Sequence, residues 1–158
     1  MLVKQLMTKE VHACRPDDTL ERAAQLLWDH DCGCLPVCKD NGASRTVAVI
    51  TDRDICMCAL FQGKPLQDLY VSDAMAKKVL ACGPGDSLMA VERIMREAHI
   101  RRLPVVDERD TLIGMISLAD LAREAAREHK QPKPEITETE VGDTLAAICE
   151  PAANTLAV

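Results

Sequence analysis

The sequence predicts a mixed α+β fold: two tandem β-α-β-β-α repeats packed with pseudo-twofold symmetry, followed by a short C-terminal helix. Three observations predict it. First, the chain repeats itself. With Met7 set against Met75, an offset of 75 − 7 = 68, Val3 meets Val71, Cys14 meets Cys82, Pro16 meets Pro84, and Leu35-Pro36-Val37 meets Leu103-Pro104-Val105. Second, both copies run through the same succession of apolar periodicities. Third, the offset falls to 120 − 54 = 66 further on, aligning Thr51 with Ser117 and Asp54 with Asp120. The two extra residues of the first copy lie in the polar turn 39–45, where an insertion leaves a fold intact. The implied boundaries are residues 3–62 and 71–128 for the repeats, 63–70 for a connector, and 129–158 for a linker, a short helix and a loose tail.

Each copy opens on a β-rich stretch, residues 11–14 and 79–82, that ends at a proline. Asp18 and Asp86 are placed to cap the helix that follows, and Glu21 stands three residues beyond Asp18 as in a capping box. In that helix Leu20, Ala23, Ala24 and Leu27 share a face, as do Leu88, Val91 and Met95 in the second copy. A buried strand comes next (35–38; 103–106), then a polar turn, a second strand (47–50; 112–116) and a closing helix (52–61; 118–128). Gly63 and Pro65 mark the connector. Pro132 and Pro134 mark residues 129–140 as an extended linker, residues 141–150 read as one short helix, and Pro151 stops it. A copy of about 60 residues buries little core alone, so the two pack against each other.

Composition narrows the function. With 47% apolar and 28% charged residues the chain is neither disordered nor fibrous. No apolar run reaches the roughly 20 residues that span a bilayer. Lys4, Lys9, Glu10 and Arg15 stand where a secretory signal needs apolar residues, so a cytoplasmic protein without membrane partners is expected. A net charge of −6 and 2% aromatic residues argue against nucleic acid as a partner. Eight cysteines without a signal peptide read as reduced thiols, and their spacing holds no Cys-x-x-Cys pair. No Walker loop, nucleophile elbow or His-Glu-x-x-His is present, so no enzyme is expected.

Two motifs carry chemistry. Thr51-x-x-Asp54 and Ser117-x-x-Asp120 each open a closing helix. One reading is a plain helix cap, worth about 1 kcal/mol. The other uses the same geometry for a ligand: a helix N-terminus suits an anion, and a carboxylate one turn in can accept both hydroxyls of a ribose diol. Arg101 and Arg102, beside His99, read either as cations complementing a helix C-terminus or as a phosphate clamp. Ile50, Ile116, Val11 and Val79 are equally suited to an adenine slot and to plain core.

Two β-α-β-β-α copies, each with a Leu-Pro-Val strand and an apolar strand running into Thr/Ser-x-x-Asp, resemble a tandem CBS-domain pair, or Bateman module. The likeness covers residues 3–127; Thr51-Asp52-Arg53-Asp54-Ile55, Ile100-Arg101-Arg102-Leu103-Pro104-Val105 and Ala147-Ile148-Cys149-Glu150-Pro151 are similar to small stand-alone bacterial pairs of the hypoxic-response type. The resemblance implies a non-catalytic regulator binding AMP, ADP, ATP or S-adenosylmethionine in the cleft between the copies. It implies a homodimer formed through helix faces, and a regulated protein partner. Carried over, Arg101 and Arg102 would reach phosphates of a nucleotide held by Thr51 and Asp54, with Arg53 adding charge. Gly33 and Cys34 stand at the matching positions of the first copy, so the Ser117/Asp120 pocket is expected to lack that clamp. Ala48, where the second copy has Gly114, is expected to crowd a ligand in the first pocket. The first two strands of a copy are expected side by side and parallel, bringing Cys14 and Cys38 to one end as a disulfide or a shared metal site. Cys32, Cys34 and His30 would be further soft-metal ligands. The other readings left open are a cysteine-based redox or metal sensor and a ligand-free adaptor.

Overall fold

The structure is a computed structural model that describes residues 1–39 and 45–151. The expected turn 39–45 falls largely outside these residues, as does the tail beyond Pro151.

Seven helices and four strands are described. The first copy contains α2 (Leu20–Asp29), β1 (Cys34–Cys38), β2 (Thr46–Thr51) and α3 (Asp52–Gln62); the second contains α5 (Leu88–Ala98), β3 (Arg102–Val106), β4 (Leu112–Ser117) and α6 (Leu118–Glu128). Short helices α1 (Val3–Leu6) and α4 (Val71–Ala74) precede the copies, a 3-10 turn (Leu66–Asp68) lies in the connector, and α7 (Glu138–Cys149) follows. β1–β2 and β3–β4 are antiparallel hairpins, each with a register break one residue from the strand end, at Val37/Cys38 and Val105/Val106.

Two expectations about the start of each copy are corrected. The β-rich stretches contribute one paired residue each: Cys14 bridges Val37 and Cys82 bridges Val105, both in the expected parallel sense. The pairing stops there because Pro16 has no N–H to give and the Arg15 N–H turns to Asp18 Oδ2 at 2.7 Å. In the second copy the Gly83 N–H turns to Asp86 Oδ2 at 2.8 Å in the same way. Asp18 and Asp86 therefore close the proline turn rather than cap the helix. The caps are Thr19 and Ser87, whose hydroxyls accept the Arg22 and Ala90 N–H groups.

The helix faces are as the spacing predicts. Leu20, Ala23 and Leu27 of α2, and Leu88, Val91 and Met95 of α5, are buried against their hairpins. The copies exchange their leading segments. Val3, Leu6 and Met7 pack into the core of the second copy, whereas Leu69, Val71 and Met75 pack into that of the first. Backbone bridges repeat this exchange: Leu2 pairs with Ser87 at the head of α5, and Tyr70 with Thr19 at the head of α2. In sequence each copy looks self-contained; in space each is completed by the other's approach segment.

Candidate functional site

Both Thr/Ser-x-x-Asp motifs form full capping boxes at the starts of α3 and α6. Asp54 Oδ2 accepts the Thr51 N–H at 2.9 Å and hydroxyl at 2.7 Å. Asp120 Oδ2 accepts the same pair from Ser117 at 2.8 and 2.6 Å. The remaining oxygens differ. Asp120 Oδ1 is paired with the Arg123 guanidinium, one turn further along α6. Arg123 escaped sequence reasoning, although its i, i+3 spacing from Asp120 was a visible signal.

Ser117 and Asp120 line a cavity of about 330 Å³ between the copies. The first copy supplies Val11, His12, His30, Cys32 and Cys34; the second supplies Arg102, Met115 and Arg123 as well. Arg102 arrives there because it is directly opposite Ser117 in the β3–β4 ladder. The expectation that this pocket lacks a clamp is thus corrected: two guanidinium groups line it. Arg102 also stands near the start of α3: a Cβ at Gly33 would lie 3.6 Å from Arg102 Nη1 and 3.3 Å from Asp52 Oδ2. Arg101 and Arg53 are exposed; the Arg101 carbonyl accepts the Leu118 N–H that opens α6, at 2.9 Å. His99 turns away toward α7, its Nδ1 lying 3.3 Å from the Ile148 carbonyl. Of the candidate adenine contacts, Val11 lines the cavity while Ile50 and Ile116 are fully buried core.

The room at Gly114 is not for a ligand. A Cβ there would stand 2.8 Å from Met7 Sδ and 2.9 Å from the Thr8 carbonyl oxygen, so the exchanged N-terminal segment occupies the space.

The cysteines are free thiols. Cys14 and Cys38 are neighbours through their backbones, with the Cys38 N–H donating to the Cys14 carbonyl at 2.9 Å. Burial pushes the Cys14 thiol up to about 12, with Asp18 and Cys38 adding to the rise. Cys82, whose carbonyl accepts from Val106 instead of a cysteine, is pushed to about 12 as well, again mainly by burial. Each sulfur lies 3.8 Å from a proline carbonyl, of Pro36 or Pro104. Burial lifts Cys34 to about 11, Arg102 partly opposing it. Such thiols are protonated at neutral pH and are poor nucleophiles and metal ligands. The His12 and His30 rings stack with centroids 3.3 Å apart. Among the described residues no three His, Cys, Asp or Glu side chains gather as a metal needs. Nor is any described helix long and apolar enough to cross a membrane.

Two hairpin-and-helix copies around a shared, carboxylate-tipped cleft define a class of tandem-repeat modules. The family model of the CBS domain matches residues 3–59 and 71–127, and the chain belongs to that family as a tandem pair. It is 36% identical over 120 residues to the CBS domain-containing protein YhcV of Bacillus subtilis, covering 76% of this chain and 82% of the relative. To hypoxic response protein 1 of Mycobacterium tuberculosis it is 30% identical, with the same coverage. Among solved structures, the CBS pair of protein MJ0100 in complex with 5′-methylthioadenosine and S-adenosyl-L-methionine is 26% identical, with TM-score 0.67, over 78% of this chain and 94% of that one. CBSX2 in complex with AMP is 27% identical, with TM-score 0.70, over 82% and 98%. A hypoxic response protein with two coordinated zinc ions is 28% identical, with TM-score 0.68, over 78% and 98%.

Proposed function

We propose that this chain is a non-catalytic regulatory module that binds an adenosine-containing ligand, AMP, ADP, ATP or S-adenosylmethionine, in the cleft between its repeats. The observation that carries the reading is the cavity of about 330 Å³ walled by both copies, with the Asp120 carboxylate at its helix start and Arg102 and Arg123 beside it. That volume is at the lower end of small-ligand sites. Relatives in complex with AMP and with S-adenosylmethionine support it. In this reading Asp120 accepts the ribose hydroxyls, and Arg123 moves from Asp120 toward a phosphate or carboxylate of the ligand. Thr51 and Asp54, with Arg53 between them in sequence and Arg101 supplied by the second copy, serve a second, equivalent position. Binding favours one arrangement of the copies and so biases a partner protein; a ligand shifts such an equilibrium only by its differential affinity. The module acts as a homodimer in the cytoplasm.

Thermal unfolding with AMP, ATP and S-adenosylmethionine tests this. A compound at 100 times its dissociation constant adds about 2.7 kcal/mol of stability. The gain is expected to be lost in the Asp54→Ala, Asp120→Ala double variant. No shift with any adenosyl compound, or an undiminished shift in the double variant, overturns the reading.

A further inference from the structure

The first copy brings two rings to the cleft that the second does not. His12 comes from the leading stretch before Cys14, and His30 from the cap that ends α2. The chain turns sharply after that cap: Asp31 has a φ of 47°, and the Cys32 N–H returns to the Leu27 carbonyl at 3.0 Å. The turn sets the His30 ring on His12, parallel to within 6° and with centroids 3.3 Å apart. Both residues are exposed, and both line the cavity that holds Ser117 and Asp120. A core role does not account for them. At the repeat offset of 68 their counterparts are Leu80 and Ala98, and Leu80 packs against the core of the second copy. The chain has one Trp, one Tyr and one Phe. Among the described residues that line this cavity, the two imidazoles are the only rings.

We infer that the stacked His12–His30 pair is the platform on which the purine base of a ligand rests at the Ser117/Asp120 position. The inference deepens the adenosyl-ligand reading above and rests on it. Two parallel rings are the start of a stack, and a third flat ring extends it with favourable offset contact. Bases are held on histidine in this way, as on larger aromatic side chains. The cavity wall then divides the ligand into parts. The ring pair and Val11 meet the base, Asp120 meets the ribose, and Arg102 and Arg123 meet the anionic end. The Thr51/Asp54 position has no such platform, because Leu80 and Ala98 carry no ring where His12 and His30 stand. The two halves of the cleft therefore differ in how they recognise a base, although their capping boxes are alike. A mere clip between α2 and the leading stretch would use the same stack, but it would be blind to whether the ligand carries a base.

Titration of the full chain, followed by NMR, with AMP and with ribose 5-phosphate separates these roles, since the second probe is the first without its base. Asp54→Ala is present throughout, so that the Ser117/Asp120 position is the one read. In that background the His12→Ala, His30→Ala variant is expected to bind AMP about 5- to 150-fold more weakly, the loss seen when a base-stacking ring is cut to alanine. Its affinity for ribose 5-phosphate is expected to be unchanged. His12→Phe, His30→Phe is expected to restore AMP binding to within about threefold, because stacking needs a flat ring and no particular nitrogen. The base protons of AMP are expected to shift upfield on binding in the histidine and phenylalanine chains and not in the alanine chain. AMP affinity that is undiminished in the alanine variant, or an equal loss for both probes, overturns the platform and leaves the cleft reading standing. If the chain binds S-adenosylmethionine and not AMP, the same loss is expected for that compound, and its persistence in the alanine variant overturns the platform. Binding of neither AMP nor S-adenosylmethionine overturns both readings.

Discussion

One methyl group separates the copies where their backbones cross. The Thr8 carbonyl accepts the Met115 N–H at 2.9 Å and the Thr8 N–H donates to the Met115 carbonyl at 2.9 Å, an approach that the bare Gly114 permits. In the first copy Ala48 takes that place, and the matching segment is held by the Ala76 N–H donating to the Val49 carbonyl at 3.0 Å. Gly114→Ala is therefore expected to cost about 1–3 kcal/mol, because the new methyl meets backbone oxygen and cannot be accommodated by a rotamer change. Urea unfolding measures it, and a loss under about 0.5 kcal/mol would show that residues 7 and 8 move aside easily. The sequence marked Gly114 as special but could not tell a ligand's claim on the space from the chain's own, since nothing local to Gly114 encodes the arrival of Met7. The same limit hid the position of Arg102. Its place opposite Ser117 follows from strand register, which a one-residue shift would have reversed.

At the scale of elements, periodicity and capping placed α3 and α6 to within a residue and gave the buried faces of α2 and α5, while the short α1 and α4 went unread. α7 is the instructive departure, starting at Glu138 rather than 141. Thr137 and Glu140 form a capping box there, with the Thr137 hydroxyl accepting the Glu140 N–H at 3.2 Å, and the prolines upstream masked it. The seat of α7 is polar as well as apolar: burial pushes the Glu92 carboxyl up from its usual range and Glu140 adds to the rise, while the Thr144 hydroxyl and Arg96 oppose it. A raised carboxyl in the folded state means that the native form holds more protons than the unfolded one just above the ordinary value of 4.5. Its stabilising contribution is present below that pH and is lost as pH rises through the folded value. Glu92→Gln keeps an oxygen to accept from Thr144 and removes the charge. The variant is expected to melt higher than the parent at neutral pH, with the difference closing as pH falls toward the ordinary carboxyl range. Thermal scans across that range check it, and a variant less stable than the parent at neutral pH would mean that the charged form is better solvated than its burial implies.

At the scale of the molecule, the repeat was legible and the exchange was not. Identical residues at a fixed offset reveal two copies of one unit; they do not reveal which hairpin each leading segment joins. Val3 belongs by sequence to the first copy, yet it is fully buried in the core of the second, and Val71 is buried in the core of the first. Neither core is complete without chain from outside its own hairpin, so the pair is expected to unfold as one cooperative unit. Val3→Ala puts this to the test. Truncating a buried branched side chain costs roughly 1–3 kcal/mol, and the packing that Val3 provides lies in the core of the second copy. If the copies share one unfolding equilibrium, the slowest-exchanging amides of β1–β2 and of β3–β4 speed up by the same factor, because both exchange through global opening. The calorimetric and van't Hoff enthalpies then agree. Acceleration confined to β3–β4 would instead mean that the second copy opens alone, and that a ligand in the inter-repeat cleft closes two separable bodies rather than tuning one.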